Sequence, residues 1–330
     1  MKQIPSVQSL RNILILRGEG SLGDAIISSC CYRGIKEANP DIKITVACFG
    51  SGYEFLSHNP YIDEIIRLPI RTLIRPHQRW PSLIGAGLKL RQRHFDLVLD
   101  SSAKHFYNWR LFKWLVGGSR VLDDLTSPVR PFGARDKHGA EHECAILQLL
   151  GVPHPTSDYD LPVPAAVQQS IKQRLEQNNI THYILLNPTG STEKRRFHAD
   201  TLWQLCNRLR SLGLPILVPS APAYYAHWSN VFKEEPAVWV MQTSSVFDLF
   251  ELVRKADWII TPDTSVVHIA SGFKKPTLVF YNTLSVYNAP NNTKALIIET
   301  DPQDVNLFNW EELSSKIQQM KDTLDSKLLA

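Results

Sequence analysis

Two strand-length apolar runs, each ending in small and acidic residues, constrain the fold of this chain more than any other feature. One is Asn12-Ile-Leu-Ile-Leu-Arg-Gly-Glu-Gly-Ser-Leu-Gly-Asp24 and the other is Trp258-Ile-Ile-Thr-Pro-Asp-Thr-Ser-Val-Val-His268. After each turn an amphipathic helical pattern begins, which is how α/β proteins build ligand sites at the C-terminal ends of strands. Two such sites imply two facing domains, and 330 residues are enough for two, each with its own core.

The rest of the pattern alternates in the same way. In the first half it predicts strands over Asn12–Leu16, Ile42–Phe49, Glu64–Leu68 and Phe95–Asp100. A helix over Asp24–Glu37 puts Ile26, Ile27, Cys30, Cys31 and Ile35 on its inner face and stops at Asn39-Pro40, because a proline disfavours the helical conformation of the residue before it. A further helix, Glu141–Leu150, closes at Gly151. The proline-rich stretch containing Val152-Pro-His-Pro and Leu161-Pro-Val-Pro reads as a linker, dividing the chain into domains 1–160 and 161–330. Beyond it the pattern predicts strands Tyr183–Asn187, Pro215–Pro219, Ala256–Thr261 and Thr277–Tyr281, with helices over Ala199–Leu212 and Phe247–Lys255. A terminal helix, Trp310–Leu328, is free to cross back to the first domain. The fold class is therefore α/β, two Rossmann-like domains whose parallel sheets are flanked by helices.

Composition narrows the setting. Five cysteines, with no CxxC pair, fit neither a disulfide framework nor a zinc site and point to a reducing compartment, so a cytoplasmic location is expected. No run approaches the ~18 apolar residues of a membrane span, and the first eleven residues lack a signal-peptide core. The net charge of +4 is unevenly placed: Arg67, Arg71, Arg75, Arg79, Lys89, Arg91 and Arg93 lie in a stretch, Arg67 to Phe95, without an acid before it ends. Such a field favours an anionic partner, a phosphate, an acidic sugar or a lipid head group, or else is a solvated basic face. Trp80, Pro81 and Leu83 add an interfacial character to it.

Several segments carry chemistry. Gly18-Glu-Gly-Ser-Leu-Gly23 matches the GxGxxG string of dinucleotide sites, but the second strand ends Ala47-Cys48-Phe49-Gly50, without the acid that would hold a ribose. An NAD-dependent oxidoreductase is thus the alternative rather than the leading reading. Asp24, directly after the glycine turn, either accepts a proton from a substrate hydroxyl or serves as an ordinary helix-start carboxylate. Asn187-Pro-Thr-Gly-Ser-Thr-Glu-Lys194-Arg-Arg-Phe is a loop of small residues and cations suited to a diphosphate, or a plain βα loop with exposed charge. Asp263, Thr264 and Ser265 open a helix that carries His268 one turn on, on the face of Thr264; each of these residues also has an ordinary structural use, as a cap or as a buried histidine.

Taken together, Ile13-Leu-Ile-Leu-Arg through Ser21-Leu-Gly-Asp24, the loop Asn187 to Phe197, and Thr261-Pro-Asp-Thr-Ser-Val-Val-His-Ile-Ala270 resemble glycosyltransferase family 9, the heptosyltransferases of lipopolysaccharide core assembly. The resemblance runs in order from about residue 12 to 282 and implies the GT-B arrangement, two Rossmann-like domains with a cleft between them, without cofactor or metal. It implies inverting transfer of heptose from an ADP-activated donor to a hydroxyl of the lipopolysaccharide inner core, with Asp24 as catalytic base. Gly20, Ser21 and Gly23 would form the acceptor-side turn, and Thr189, Gly190, Lys194, Asp263, Thr264, Ser265 and His268 the donor site. Arg71, Arg75 and Arg79 would then meet a phosphorylated lipid acceptor, giving peripheral contact with an anionic membrane at the inner face of the inner membrane; no nucleic acid is called for. Ser265 stands where the family usually has glycine, and Ser220-Ala-Pro-Ala-Tyr-Tyr225 lacks the glutamate that the family commonly turns to the nucleotide ribose. These departures leave open another nucleotide sugar on the same fold.

Overall fold

The computed structural model describes residues 4–17, 21–48, 50–68, 80–100, 109–117, 121–122, 137–282, 286–292 and 294–328. The chain divides into two compact units, Met1–Pro162 with Ser285–Ala289, and Val163–Leu284 with Pro290–Ala330.

The first unit runs β1 (Asn12–Leu16), α1 (Leu22–Ile27), α2 (Ser29–Ala38), β2 (Lys43–Cys48), α3 (Gly52–Leu56), β3 (Glu64–Arg67), α4 (Trp80–Arg91), β4 (Leu97–Asp100), α5 (Trp109–Gly117), β5 (Val121–Leu122) and α6 (Gly139–Leu149). All strand pairs are parallel, in the order β3-β2-β1-β4-β5. A central parallel strand is covered on both faces, which is why β1 reads as an unbroken apolar run and why Ile13 to Leu16 are fully buried. Leu14 and Leu16 join Leu90, Val98, Phe112 and Val116 in the layer under α4 and α5. On α2 the residue facing α6 is Gly34, where an added Cβ would come within 2.7 Å of Leu147 Cδ1, so the two helices approach closely.

The helix expected over Asp24–Glu37 is two. Ser28 and Ser29 turn their hydroxyls back onto the carbonyls of Ala25 and Ile26, at 2.9 and 2.7 Å, and such back-bonding competes with the helical ladder and bends it. The end at Asn39 follows the proline rule, with φ −146° and ψ 93° in the extended region. Gly151, at φ +78°, ends α6 in a left-handed turn; its N–H bonds Gln148 O and the next N–H, of Val152, bonds Leu147 O.

The second unit runs α7 (Ala165–Gln177), β6 (Ile184–Leu186), α8 (Ala199–Leu209), β7 (Ile216–Ser220), α9 (Pro222–Val231), β8 (Val238–Gln242), α10 (Val246–Lys255), β9 (Trp258–Pro262), α11 (Ser265–Gly272), β10 (Thr277–Tyr281), β11 (Ala295–Glu299) and α12 (Trp310–Leu328). Its parallel sheet has the order β11-β10-β9-β6-β7-β8. Counted from β6, this is the 3-2-1-4-5-6 order of a nucleotide-binding sheet, and the first unit repeats its first five strands. Leu313, Ile317 and Met320 are buried in the second unit's core with Leu202, Leu205, Leu209, Phe280 and Ile298.

Candidate functional site

Strand order locates the sites. In an open parallel sheet a crevice forms where the order reverses, between the first and fourth strands, at their C-terminal ends. That places one candidate after β1 and β4 and another after β6 and β9. The segments singled out in the sequence sit at these two points.

In the first unit, Arg17 directly follows β1 and is buried. Its Nε donates to Tyr32 Oη at 3.0 Å and its Nη1 to Glu143 Oε1 at 2.8 Å, with the guanidinium 5.6 Å from the Tyr32 ring centroid. Burial opposes the charge, but the attraction of Glu143 and Tyr32 outweighs it and holds the guanidinium well above its ordinary value. The neighbouring Cys31 thiol is pushed up by burial first and then by the Glu143 charge, so it stays protonated. A second buried pair, Lys113 Nζ to Asp100 Oδ2 at 2.9 Å, lies at the end of β4, whose Asp100 is in register with Leu16 of β1.

Ser21 is the N-cap of α1: its hydroxyl oxygen accepts from the Asp24 N–H at 3.1 Å and its proton goes to the Asp24 carboxylate. Asp24 is half-buried in the first turn, so the helix-start use and an accessible carboxylate coexist in one residue. Gly52, at the start of α3, packs against this turn; an added Cβ would lie 2.9 Å from Ala25 Cβ and 3.1 Å from Ser21 O. Gly23 is half-buried in the same helix turn. Gly20, Arg71, Arg75 and Arg79 lie outside the described residues.

In the second unit the two loops at the strand reversal are knitted by one amide. Asn187, buried at the end of β6, donates through Nδ2 to Thr261 Oγ1 at 3.0 Å, Thr264 Oγ1 at 3.2 Å and Thr189 O at 3.1 Å. Its Oδ1 accepts from the Thr189 hydroxyl at 3.3 Å. Thr264 is also the N-cap of α11, accepting from Val266 N at 3.2 Å. The β6 and β9 loops, 74 residues apart at their nearest bond, are thereby fixed to each other.

The phosphate-type loop then folds tightly. An added Cβ on Gly190 would collide with the Arg195 carbonyl oxygen and Cβ, so only glycine lets the chain turn there. Glu193–Arg195 form a single 3-10 turn whose main chain is pinned, the Lys194 carbonyl accepting from Val305 N at 3.0 Å and Asn282 Nδ2 at 3.3 Å. The Lys194 side chain is left exposed. Arg195, not Lys194, faces Asp263: Nη2 to Oδ2 is 3.0 Å, and Asp263 is buried. Burial, and then the Asp263 charge, push the Tyr281 hydroxyl up, so it remains a neutral donor near this pair. Ser265 is half-buried at the start of α11, whereas His268 is buried one turn on. Asn187, Thr261 and Arg195 were not among the residues singled out as donor-binding. Among the described residues no group of three His, Cys, Asp or Glu is placed to hold a metal ion.

Residues 87–315 match the model of glycosyltransferase family 9 (heptosyltransferase). A protein of Escherichia coli K12 provisionally named lipopolysaccharide heptosyltransferase 4 is 24% identical over 343 residues, covering 96% of this chain and 89% of that protein. Among solved structures, a family 9 glycosyltransferase of Veillonella parvula is similar with a TM-score of 0.78 at 16% identity, covering 95% of this chain and 97% of its own. The E. coli heptosyltransferase WaaC with ADP-2-deoxy-2-fluoro heptose is similar with a TM-score of 0.72 at 16% identity, covering 93% and 99%. At these identities the structural likeness concerns the fold.

Proposed function

Because this chain belongs to glycosyltransferase family 9 and is thus a glycosyltransferase, we propose that it transfers heptose from an ADP-activated donor to a hydroxyl of the lipopolysaccharide inner core, with inversion and without a metal. The observation that carries this reading is the second unit's rim. There a glycine-tight loop, an exposed lysine and a helix start held by Asn187 are assembled at the strand reversal, an arrangement suited to the diphosphate of a sugar nucleotide.

In this reading the amides near Thr189, Gly190, Thr264 and Ser265 and the Lys194 ammonium receive the charge that builds on the departing diphosphate. Such preorganised donors are typically worth ~3–4 kcal/mol each in a transition state. Asp263 acts through Arg195, fixing it beneath the loop, and His268 supports α11 from inside. Asp24 takes the proton of the acceptor hydroxyl as that oxygen attacks the anomeric carbon; Ser21 orients its carboxylate, and Gly20 and Gly23 leave room for the acceptor. Arg71, Arg75 and Arg79 would meet the acceptor's phosphates, with the enzyme on the cytoplasmic side of an anionic membrane in peripheral contact with it. The transferase binds donor on one unit and draws its base from the other.

The decisive experiment offers the protein a panel of labelled nucleotide sugars and core-truncated lipid acceptors, in parallel with Asp24→Asn. Transfer from ADP-heptose alone, lost by at least ~100-fold in the variant with unchanged melting temperature and ADP binding, is expected. Transfer by Asp24→Asn at the wild-type rate would remove Asp24 as the base. Transfer from a different nucleotide sugar would replace the donor while keeping the reaction.

A further inference from the structure

The cysteines take no part in the proposed transfer, and two of them face each other. Cys30, on α2, and Cys144, on α6, lie far apart in the sequence, yet two close approaches bracket them in space. On one side an added Cβ at Gly139, the first residue of α6, would come within 2.8 Å of Cγ2 of Ile27, the last residue of α1. On the other side Gly34 of α2 meets Leu147 of α6 in the same way, at 2.7 Å from Cδ1. Cys30 lies between Ile27 and Gly34, and Cys144 between Gly139 and Leu147, each within a turn or so of its neighbours. The pairs follow in the same order along both segments, so the segments run side by side and the two thiols meet on the rung between the glycines. The Cys30 S–H is shared between Ile27 O, 3.4 Å away, and the Cys144 sulfur.

The five thiols sit in different surroundings, and reactivity follows the difference, because the thiolate is the attacking species. Cys30, Cys31, Cys48 and Cys206 are buried, whereas Cys144 is half-buried. Burial pushes the Cys48 and Cys206 thiols up to about 12, so both stay protonated. The raised Cys31 thiol is turned elsewhere, bonding to the Glu143 carboxylate. Cys144 is the one thiol held below its ordinary value, first by the bond from Cys30 and further by the Arg33 charge, against burial and the charges of Glu143 and Glu141. Arg33 is itself fixed, its Nη1 donating to Asp160 Oδ1 and its Nη2 to Thr156 Oγ1, both at 2.7 Å. A reachable thiol with thiolate character, beside a buried thiol in contact with it, is the arrangement of an attacking and a resolving cysteine.

We propose that Cys144 is a site of reversible thiolation by low-molecular-weight disulfides of the glutathione class, and that Cys30 resolves the adduct into a Cys30–Cys144 disulfide tying α2 to α6. In the first step the Cys144 thiolate attacks one sulfur of glutathione disulfide. A new S–S bond forms, the old one breaks, and one glutathione leaves as a thiolate that takes up the proton Cys144 gave. In the second step the Cys30 thiol gives up its proton, attacks the Cys144 sulfur and expels the second glutathione, which takes that proton. Two protein thiols are oxidised to one disulfide while one glutathione disulfide is reduced to two thiols, and excess reduced thiol reverses both steps. None of this depends on which sugar nucleotide is the donor.

The test uses the full chain, reduced, incubated with glutathione disulfide, and alkylated at its remaining thiols before peptide mapping by mass spectrometry. Wild type should yield two peptides joined through Cys30 and Cys144, with Cys31, Cys48 and Cys206 alkylated, and dithiothreitol should undo the link. Cys30→Ser should stop at a lasting glutathione adduct on Cys144, because the resolving sulfur is missing. Cys144→Ser should slow thiolation of the folded chain at least ~10-fold. Since the link closes a long loop of the unfolded chain, oxidised wild type should melt at least ~5 °C above reduced wild type, and oxidised Cys30→Ser should not. The wild-type map does not depend on the folding of any variant. The proposal is overturned if glutathione disulfide leaves every thiol of the folded chain free, if the adduct or the link falls on other cysteines, if the link forms only in urea, or if the linked protein melts below the reduced one.

Discussion

At the rim of the first sheet charge meets charge: Arg17 pairs with Glu143 and Lys113 with Asp100, all four buried. At the rim of the second sheet, at the same point in the strand order, a neutral amide joins hydroxyls and a carbonyl, and the exposed cation Lys194 stands outside that network. The two units share a strand order but solve the crevice differently. Buried pairs neutralise each other, and Asp24 stands half-buried in the first turn of α1, a position that suits the handling of a proton. The amide network of the second rim, beside the Arg195–Asp263 ion pair, leaves the Lys194 cation exposed, which suits an anionic ligand. In the proposed reaction the same strand order would serve as the platform for a base in one unit and as the cradle for a leaving group in the other, the difference lying in which residues terminate the strands.

The sharpest way to break this contrast is Glu143→Ala. It removes the carboxylate that Arg17 pairs with in the interior, and breaking a buried pair from one side typically costs about 3–5 kcal/mol. Urea unfolding should show that loss, while any ADP binding by the wild type should be kept by the variant. A cost under about 1 kcal/mol would mean that the first rim is not held by charge.

Asn187→Ala tests the neutral rim and should cost less, about 1–3 kcal/mol, because it strands hydroxyls and a carbonyl rather than an ion. Its mark is kinetic. The donor KM should rise about tenfold while the acceptor KM holds, since the amide positions the β6 and β9 loops against each other. Asn187→Asp keeps the shape but loses all three donated bonds, so it should be no better than alanine. An acceptor KM that moves as much as the donor KM would show that the amide acts on the whole unit and not on the donor loops.

How much of this was legible in the sequence depended on whether the signal was local. Asn12–Leu16, Thr277–Tyr281 and Trp310–Leu328 are bounded in the structure as their patterns predict, because central strands and a one-faced helix leave unbroken periodicity. Strands Val238–Gln242 and Ala295–Glu299 escaped, and both are edge strands, only partly buried, so their apolar signal is diluted. Ala165–Gln177 and Pro222–Val231 escaped for another reason. Each begins at a proline, which reads as a break but is equally at home at a helix start. The site followed the same rule. Asp24, Gly190 and Lys194 stand in local motifs, whereas the bonds from Asn187 to Thr261 and Thr264 join loops from strands that are neighbours only in the folded sheet. The pairing of Asp263 with Arg195 in place of Lys194 is of that kind too.

The smallest effect separates the units by pH. His138 is the N-cap of α6 in the first unit: its Nδ1 accepts from Ala140 N at 3.1 Å, so the proton is on Nε2, which donates to Ala289 O at 3.1 Å. A second proton would set an N–H against the Ala140 N–H and abolish the cap. Burial, the largest cause, lowers the imidazole below its ordinary 6.5; the Ala289 bond and Glu141 pull it up and His142 pushes it down. With the folded value depressed, the unfolded chain binds more protons as pH falls below 6.5, so this contribution is complete above 6.5 and is lost on acidification through that window. His138→Asn can keep a cap acceptor and cannot titrate, so urea midpoints between pH 7 and pH 5 should fall less steeply for the variant than for wild type. Equal slopes would mean that the first unit's acid sensitivity arises elsewhere than at this cap.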